Sequence, residues 1–90
     1  SSLVELAAAV AFENLDRRLA RALLARVVAS GRIVLVATHQ ELADELGTVR
    51  ERVSRLLEGF EERGIVELGR GHLTVRDRAK LETLAGDGGV

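Results

Sequence analysis

Apolar residues recur every three or four positions over much of this chain, which is the spacing of amphipathic α-helices. The clearest run lies between Arg17 and about Ala29. Its apolar members are Leu19, Ala20, Leu23, Leu24, Val27 and Val28. Asp16 is a good N-cap residue and Ser30-Gly31 can end a helix, so the pattern predicts a helix between these points.

A shorter apolar segment precedes this helix. Leu3, Leu6 and Val10 repeat at helical spacing and form a narrow seam with alanine in the gaps. Such a seam suits a dimer contact, which we favour, although the same side chains could pack on their own domain. Because Asn14-Leu15-Asp16 interrupts the pattern, we predict a separate short helix here.

Two capping boxes follow one another in the middle of the chain. The first is Thr38-His39-Gln40-Glu41, in which Thr38 caps a helix and Glu41 reaches back to it. That helix is predicted to end at Gly47. The second is Thr48-Val49-Arg50-Glu51, and its helix is predicted to run to about Arg63, where Gly64 supplies a left-handed C-cap.

Short β-branched runs flank the two capped helices. Arg32–Val36 predicts a strand before them, while Ile65–Leu68 and His72–Val75 predict two strands after them. Gly69-Arg70-Gly71 lies between the last two runs, which is the pattern of a hairpin. Asp77 is predicted to cap a final helix through about Leu84.

The order of elements predicts a fold. It is helix, helix, strand, helix, turn, helix, strand, wing, strand, helix. A helix-turn-helix needs a small residue where the helices approach and a glycine at the turn, and Ala43 and Gly47 meet these needs. Apolar residues must also lock the second helix in place, and these are Leu42, Leu46, Val53 and Leu56. The predicted fold class is therefore mainly α with a small antiparallel β-sheet: a winged helix-turn-helix with a three-helix core plus a β-hairpin wing.

The composition is that of one small globular domain, with 47% hydrophobic and 30% charged residues among ninety. No apolar run approaches the roughly 20 residues that cross a bilayer, so we expect a cytoplasmic location and no membrane partner. The chain has no cysteine and two histidines, and no nucleophile–base arrangement suggests an enzyme. Two phenylalanines are too few for a stacking surface that binds single-stranded nucleic acid.

The net charge of −1 hides an uneven distribution. The first basic patch, Thr48–Arg55, contains three arginines and one acid and so has a net charge of +2. The second basic patch, Gly69–Arg78, has the same balance. Two positive patches on a neutral body are compatible with a local DNA-binding face, although long-range attraction would be weak.

The helix after Gly47 has two chemically different faces. If Val49, Val53, Leu56, Leu57 and Phe60 face the core, the opposite stripe consists of Arg50, Glu51, Ser54 and Arg55. Arginine can bond bidentately to guanine, and glutamate can accept a hydrogen bond from cytosine N4. Glu51 could instead serve only the capping box, and both roles are compatible. The stripe predicts base recognition in a major groove.

Two motifs in this chain resemble the C-terminal domain of the Crp/Fnr transcription regulators. They are Thr38-His39-Gln40-Glu41-Leu42-Ala43 and Arg50-Glu51-Arg52-Val53-Ser54-Arg55. Leu15–Ala20, Ile33–Leu35 and Glu62–Val66 support the resemblance, which covers about residues 12–84. It implies a bacterial homodimer that binds palindromic double-stranded promoter DNA with TGA half-sites, and RNA polymerase is a candidate partner.

The resemblance also implies roles for single residues. Residues at the positions of Arg50, Glu51 and Arg55 recognise base edges, as Ser54 does in the Fnr branch. Thr38 and Gln40 match positions that contact the DNA backbone.

Other residues are weaker candidates for backbone contacts. In the family that the chain resembles, a phosphate-bonding Ser or Thr is usual at the position of Val49, and Thr is usual at the position of Arg52. Arg52 either replaces the phosphate contact that is lost at Val49 or shifts the preferred half-site. That Arg52 serves only solubility is an equal alternative. His39 and Arg70 are further candidates for phosphate contacts, whereas His72 is better explained as a plain strand residue.

The resemblance finally implies an N-terminal sensor domain for a cyclic nucleotide or another effector. We expect no cofactor in these ninety residues and regard the chain as a fragment or a naturally truncated regulator. Residues 1–13 are interpreted as the end of a dimerisation helix or hinge, 14–85 as the DNA-binding domain and 86–90 as a flexible tail.

A winged-helix module that binds a protein and no specific DNA is the alternative function. The small net charge favours it slightly. In that case the charged stripe of the helix would contact the partner. A separate interpretation makes Arg50 and Arg55 solvated surface charges.

Overall fold

The computed structural model describes the backbone of residues 2–86 and the side chains of residues 15–86. Within this part the chain forms four helices and three strands. In chain order they are α1 (Ser2–Ser30), β1 (Val34–Leu35), α2 (His39–Leu46), α3 (Arg50–Glu62), β2 (Val66–Gly69), β3 (His72–Val75) and α4 (Arg78–Leu84). The predicted class, mainly α with a small antiparallel sheet, is confirmed.

Helix α1 is one continuous helix of 29 residues, so the predicted break at Asn14-Leu15-Asp16 is wrong. Asp16 lies inside the helix and does not cap a new one. Asn and Asp each cost at most about 0.7 kcal/mol relative to Ala in a helix interior. Because neither Gly nor Pro occurs from Ser2 to Ser30, the favourable residues on both sides outweigh this cost.

The predicted apolar face of this helix is largely confirmed. Leu19, Ala20, Leu23, Leu24 and Val27 are buried, but Val28 is 67% exposed and does not belong to the core. The side chains of Leu3, Leu6 and Val10 lie outside the described residues, as does the tail from residue 87, so the predicted dimer seam and flexible tail stay predictions.

The core joins α1 to every later element. Its largest fully buried side chains are Leu19, Leu23, Leu42, Val53, Leu57, Ile65, Val66, Leu73 and Leu81. No polar or charged residue between 15 and 86 is buried. Apolar burial of this kind, at about 25 cal/mol per Å², is the main favourable term in folding. No helix in the described part is long and apolar enough to cross a membrane.

The sheet has the strand order β1-β3-β2, and both pairings are antiparallel. Val34 pairs with Thr74, which in turn pairs with Glu67. Strand β1 is shorter than the predicted Arg32–Val36 and places only Leu35 in the core. Strand β2 begins at Val66, one residue later than predicted, because Ile65 takes part in the buried turn after α3: its carbonyl accepts the N–H of Arg76 at 2.8 Å.

Most predicted helix ends are confirmed. Asp77 Oδ1 accepts the N–H of Lys80 at 3.0 Å and caps α4. Gly64 follows α3 with a φ of +76°, a left-handed conformation that glycine adopts without steric cost. The Ile65 N–H then reaches Phe60 O at 2.9 Å, so the chain turns directly from α3 into the wing.

Candidate nucleic-acid interface

Helix α2 begins with a side-chain cap. Thr38 Oγ1 accepts the N–H of Glu41 at 3.0 Å, which confirms Thr38 as the N-cap. Between residues 15 and 86, no hydrogen bond returns from the Glu41 side chain to Thr38, so only half of the predicted capping box forms. The cap fixes the entry of the chain into the helix pair.

The turn between α2 and α3 is built on Gly47. Its φ of +70° and ψ of 33° lie in the left-handed region, which explains why glycine suits this position. The Thr48 N–H bonds to Ala43 O at 2.9 Å and closes the end of α2. The chain then starts α3 after only two further residues, which is the short connection that a helix-turn-helix requires.

An apolar lock holds the two helices together, as predicted. Leu42, Ala43, Leu46, Val53 and Leu57 are buried, and Leu56 is half-buried against the core. The prediction for Val49 is wrong: this side chain is 60% exposed, because it precedes the first helical residue and lies in extended backbone.

Helix α3 begins without a side-chain cap. The N-cap residue is Val49 rather than Thr48, and its apolar side chain accepts no hydrogen bond, so the second predicted capping box is wrong. Glu51 therefore occupies the second helical position and has no capping partner among residues 15–86. A carboxylate in the first turn still interacts favourably with the helix dipole, but the capping box no longer explains why Glu51 is there.

The charged side chains at the start of α3 are open to solvent. Arg50, Glu51, Arg52 and Arg55 are all exposed. Within the described part of the chain, none of the three arginines lies within 4.0 Å of a carboxylate. Their donors are therefore available to a ligand.

Ser54 differs from the rest of the predicted stripe. It is half-buried, and its Oγ lies 2.7 Å from Nδ1 of His39, the first residue of α2. His39 is also half-buried. The bond links two residues that the sequence analysis assigned separately, one to the DNA backbone and one to base recognition.

A cleft of about 490 Å³ lies between the start of α2, the start of α3 and the turn of the wing. Its lining consists of Ala37, Thr38, His39, Gln40, Arg50, Gly69, Arg70 and Gly71. Four of the five predicted backbone contacts thus meet one predicted base-recognition residue at a single cleft. Arg52, Glu51 and Arg55 do not line it. No acid among residues 15–86 lines the cleft either, although Gln40 Nε2 donates to the Asp44 carboxylate at 2.9 Å.

The wing is anchored to α3 by a residue that the sequence analysis missed. Glu61 Oε2 accepts the N–H of Leu68 at 2.9 Å, which ties strand β2 to α3. At the turn, His72 Nδ1 lies 3.2 Å from Arg70 O, and the His72 ring occupies the space that a side chain at Gly69 would need. His72 is a strand residue, as expected, and it packs over the turn that presents Arg70.

The second basic patch is largely neutralised. Arg76 Nη1 lies 3.5 Å from a carboxylate oxygen of Glu67, and Arg78 Nε lies 3.8 Å from one of Glu82. Of its three arginines, only Arg70 has no carboxylate within 4.0 Å among residues 15–86.

Two further arginines that the sequence analysis missed tie α1 to α2. Arg18 Nη2 donates to Leu46 O at 2.9 Å. This carbonyl lies at the C-terminal end of α2, where the helix dipole favours a positive charge. Arg26 Nη2 lies 2.9 Å from Glu45 Oε2. Hydrogen bonds of arginine to a helix end cannot be inferred from spacing along the chain.

The helix pair locked through Gly47, followed by a hairpin anchored on the second helix, defines a winged helix-turn-helix domain. Residues 17–84 match a family model described as a Crp-like helix-turn-helix domain. The chain belongs to this family.

Known proteins with similar sequence or structure belong to the same group. The chain is 41% identical over 76 residues to the cyclic AMP receptor protein of Thermus thermophilus, a match that covers 84% of this chain. A Crp/Fnr-family transcriptional regulator from Eubacterium rectale gives a TM-score of 0.78 at 40% identity over 80% of this chain. The catabolite activator protein of Thermus thermophilus gives 0.77 at 39% identity over 96%.

The chain is shorter than these proteins. It spans 35% of the curated relative's length, 33% of the Eubacterium rectale structure and 40% of the catabolite activator structure. The relatives are described as receptor, activator and regulator proteins, none of them as an enzyme.

Proposed function

We propose that this chain binds double-stranded DNA in a sequence-specific manner, as the DNA-binding domain of a bacterial Crp/Fnr-type transcription regulator. In this proposal α3 enters the major groove of a palindromic site with TGA half-sites. The observation that carries it is the convergence of three chain segments on one cleft, with Thr38, Arg50 and Arg70 in its lining.

The exposed first turns of α3 are suited to base recognition. Arg50 and Arg55 offer donors that no carboxylate within the described residues occupies, and each can bond to O6 and N7 of guanine. Glu51 offers acceptors to cytosine N4. We assign base recognition to these three residues and to Ser54.

The cleft beside this helix is suited to the DNA backbone. Its lining combines hydroxyl, amide, imidazole and guanidinium groups and, within the described side chains, contains no acid. Phosphate contacts from such groups position a protein on the duplex. We assign backbone contacts to Thr38, His39, Gln40 and Arg70, and to exposed Arg52 on the flank of α3.

The remaining partners belong to the parent regulator. We propose that it acts as a homodimer through a helix that includes residues 1–13. We also propose that its effector, with a cyclic nucleotide as the candidate, binds a domain outside this chain. RNA polymerase is a candidate partner of the complex on DNA.

A fluorescence anisotropy titration tests the proposal. The chain is added to a labelled duplex with two TGA half-sites and to a scrambled duplex of the same composition, between about 50 and 200 mM salt. We expect tighter binding to the palindrome and an affinity that falls with salt, by a log–log slope of about 0.9 for each phosphate neutralised. Equal affinity for both duplexes would contradict sequence-specific binding.

One observation favours the alternative, a module that binds a protein. Val28, Ile33, Val34 and Val36, at the end of α1 and around β1, are between 47% and 82% exposed. Exposed apolar groups of this kind occur at protein contacts. If no duplex binds in a salt-dependent manner, this alternative replaces the DNA proposal.

A further inference from the structure

We propose that His39 determines base specificity, and that it acts through Ser54. The inference rests on the proposed function, because it concerns how the DNA face works. Its basis is the 2.7 Å hydrogen bond between His39 Nδ1 and Ser54 Oγ. This bond joins the first residue of α2, at the cleft, to the second turn of α3, on the base-recognition face.

A serine hydroxyl has a single hydrogen and two lone pairs. If the hydrogen lies toward His39, Ser54 can only accept hydrogen bonds from DNA. If His39 donates instead, the Ser54 hydrogen is free to donate to a base. The direction of the His39–Ser54 bond therefore decides which bases Ser54 can recognise.

The other nitrogen of the ring fixes this direction. His39 lines the cleft together with Arg50 and Arg70, the two charged residues of its lining, and Nε2 is the remaining polar atom of the His39 ring. A DNA phosphate held by these arginines would accept a hydrogen bond from Nε2–H. A neutral imidazole that carries its hydrogen on Nε2 has a lone pair on Nδ1, so the Ser54 hydroxyl must donate to His39.

Ser54 then presents only lone pairs to the major groove. The partners that fit are the amino groups of cytosine N4 and adenine N6. A contact between the His39 imidazole and the DNA backbone thus determines which bases Ser54, on the neighbouring helix, can recognise. This differs from the usual division, in which phosphate contacts position the protein and carry no sequence information directly.

Two amide variants separate the two ring nitrogens. The terminal atoms of Asn reach about as far from the backbone as Nδ1 of His, and those of Gln about as far as Nε2. His39→Asn can keep a bond to Ser54 but loses the contact in the cleft. His39→Gln can reach the cleft but loses the bond to Ser54. Both variants leave the net charge of a neutral histidine unchanged.

The experiment measures affinity for a set of duplexes that differ at one base pair. That pair is found by two measurements. Its replacement changes the affinity of the unaltered chain, but it does not change the affinity of the Ser54→Ala variant. We expect the unaltered chain to prefer one pair there by about fivefold or more, as for one good base contact, and to lose this preference when the cytosine N4 or adenine N6 amino group of that pair is removed. Ser54→Ala and His39→Gln should both lose this preference, and combining them should change it no further.

His39→Asn should give the opposite result. It should keep the preference to within about twofold, while its affinity for every duplex falls and its salt slope decreases by about one phosphate contact. Thermal unfolding of each variant, followed by circular dichroism, shows that the fold is retained.

Three outcomes would overturn the inference. His39→Gln could keep the base preference, His39→Asn could lose it, or the Ser54-dependent preference could persist after the amino group of the preferred pair is removed. Each leaves DNA binding by the unaltered chain intact and so contradicts this inference alone. Absence of duplex binding by the unaltered chain would overturn the proposed function as well.

Discussion

The two basic patches have the same formal charge of +2, yet the folded chain leaves them in different states. In the first, Thr48–Arg55, all three arginines lack a carboxylate within 4.0 Å in the described residues. In the second, Gly69–Arg78, two of the three are paired with Glu67 and Glu82. These carboxylates lie outside the patch in sequence, so a count along the chain does not include them.

The pairing matters for ligand binding more than for stability. Exposed ion pairs contribute about 0–1 kcal/mol to folding, and the side chains of Arg76 and Glu67 are 61% and 62% exposed. A nearby carboxylate nevertheless repels phosphate and cancels the local field of the guanidinium. The comparison teaches that, of the two patches, only the three arginines at the start of α3 and Arg70 keep their charge without a carboxylate partner among the described residues.

The largest effect that tests this difference should come from Arg55→Ala in the first patch. A lost bidentate contact to guanine costs about 1–3 kcal/mol of discrimination, so affinity for the palindrome should fall about tenfold or more. Affinity for the scrambled duplex should change much less. Arg78→Ala removes the same charge from the second patch and serves as the control. An equal loss on both duplexes would show that Arg55 contacts phosphate instead.

A smaller effect should separate Arg52 from Arg76. Each substitution to alanine removes one positive charge, but only Arg52 lacks an acidic partner among the described residues. We expect Arg52→Ala to weaken binding to all duplexes alike and to lower the salt slope by about one unit. Arg76→Ala should leave the slope nearly unchanged. The same slope for both variants would remove the distinction between the patches.

The smallest effect is expected from Glu67→Gln, which releases Arg76 from its partner. Affinity for any duplex should rise by no more than about twofold at low salt, because the pair is exposed and already screened by solvent. The preference for the palindrome should not change. A gain confined to the palindrome would indicate that Glu67 affects base recognition, and the matched variant Glu82→Gln shows how much of any gain is due to net charge.

The helix-turn-helix could be predicted from sequence because its signals are local. Thr38 caps α2 three residues before Glu41, and Gly47 takes the left-handed conformation that few other residues tolerate. The buried positions Leu42 and Val53 follow helical periodicity. In each case a short window of sequence contains the whole physical cause.

The errors arise where local signals compete. Asp16 and Thr48 are both good N-cap residues, but neither caps a helix. A good cap residue does not start a helix when its neighbours already continue one, as in α1, or when the turn places the start one residue later, as in α3.

The contacts that were missed depend on how the helices pack. The His39–Ser54 and Glu61–Leu68 hydrogen bonds join residues of different elements, and the crossing of α2 and α3 brings the first pair together. Periodicity places each residue on a face of its own helix but does not give the register between two helices. The roles of the site residues on DNA stay predictions until binding is measured.

The central position of β3 has a consequence for the order of folding. Strand β1 precedes the helix pair and β3 follows it, and Val34 pairs with Thr74 across that whole interval. Pairings between residues so distant in sequence close a long loop and form late. During synthesis, the segments that form α2 and α3 are therefore made before β3, the strand that pairs with both β1 and β2. A chain interrupted after α3 lacks both the wing and the partner of β1.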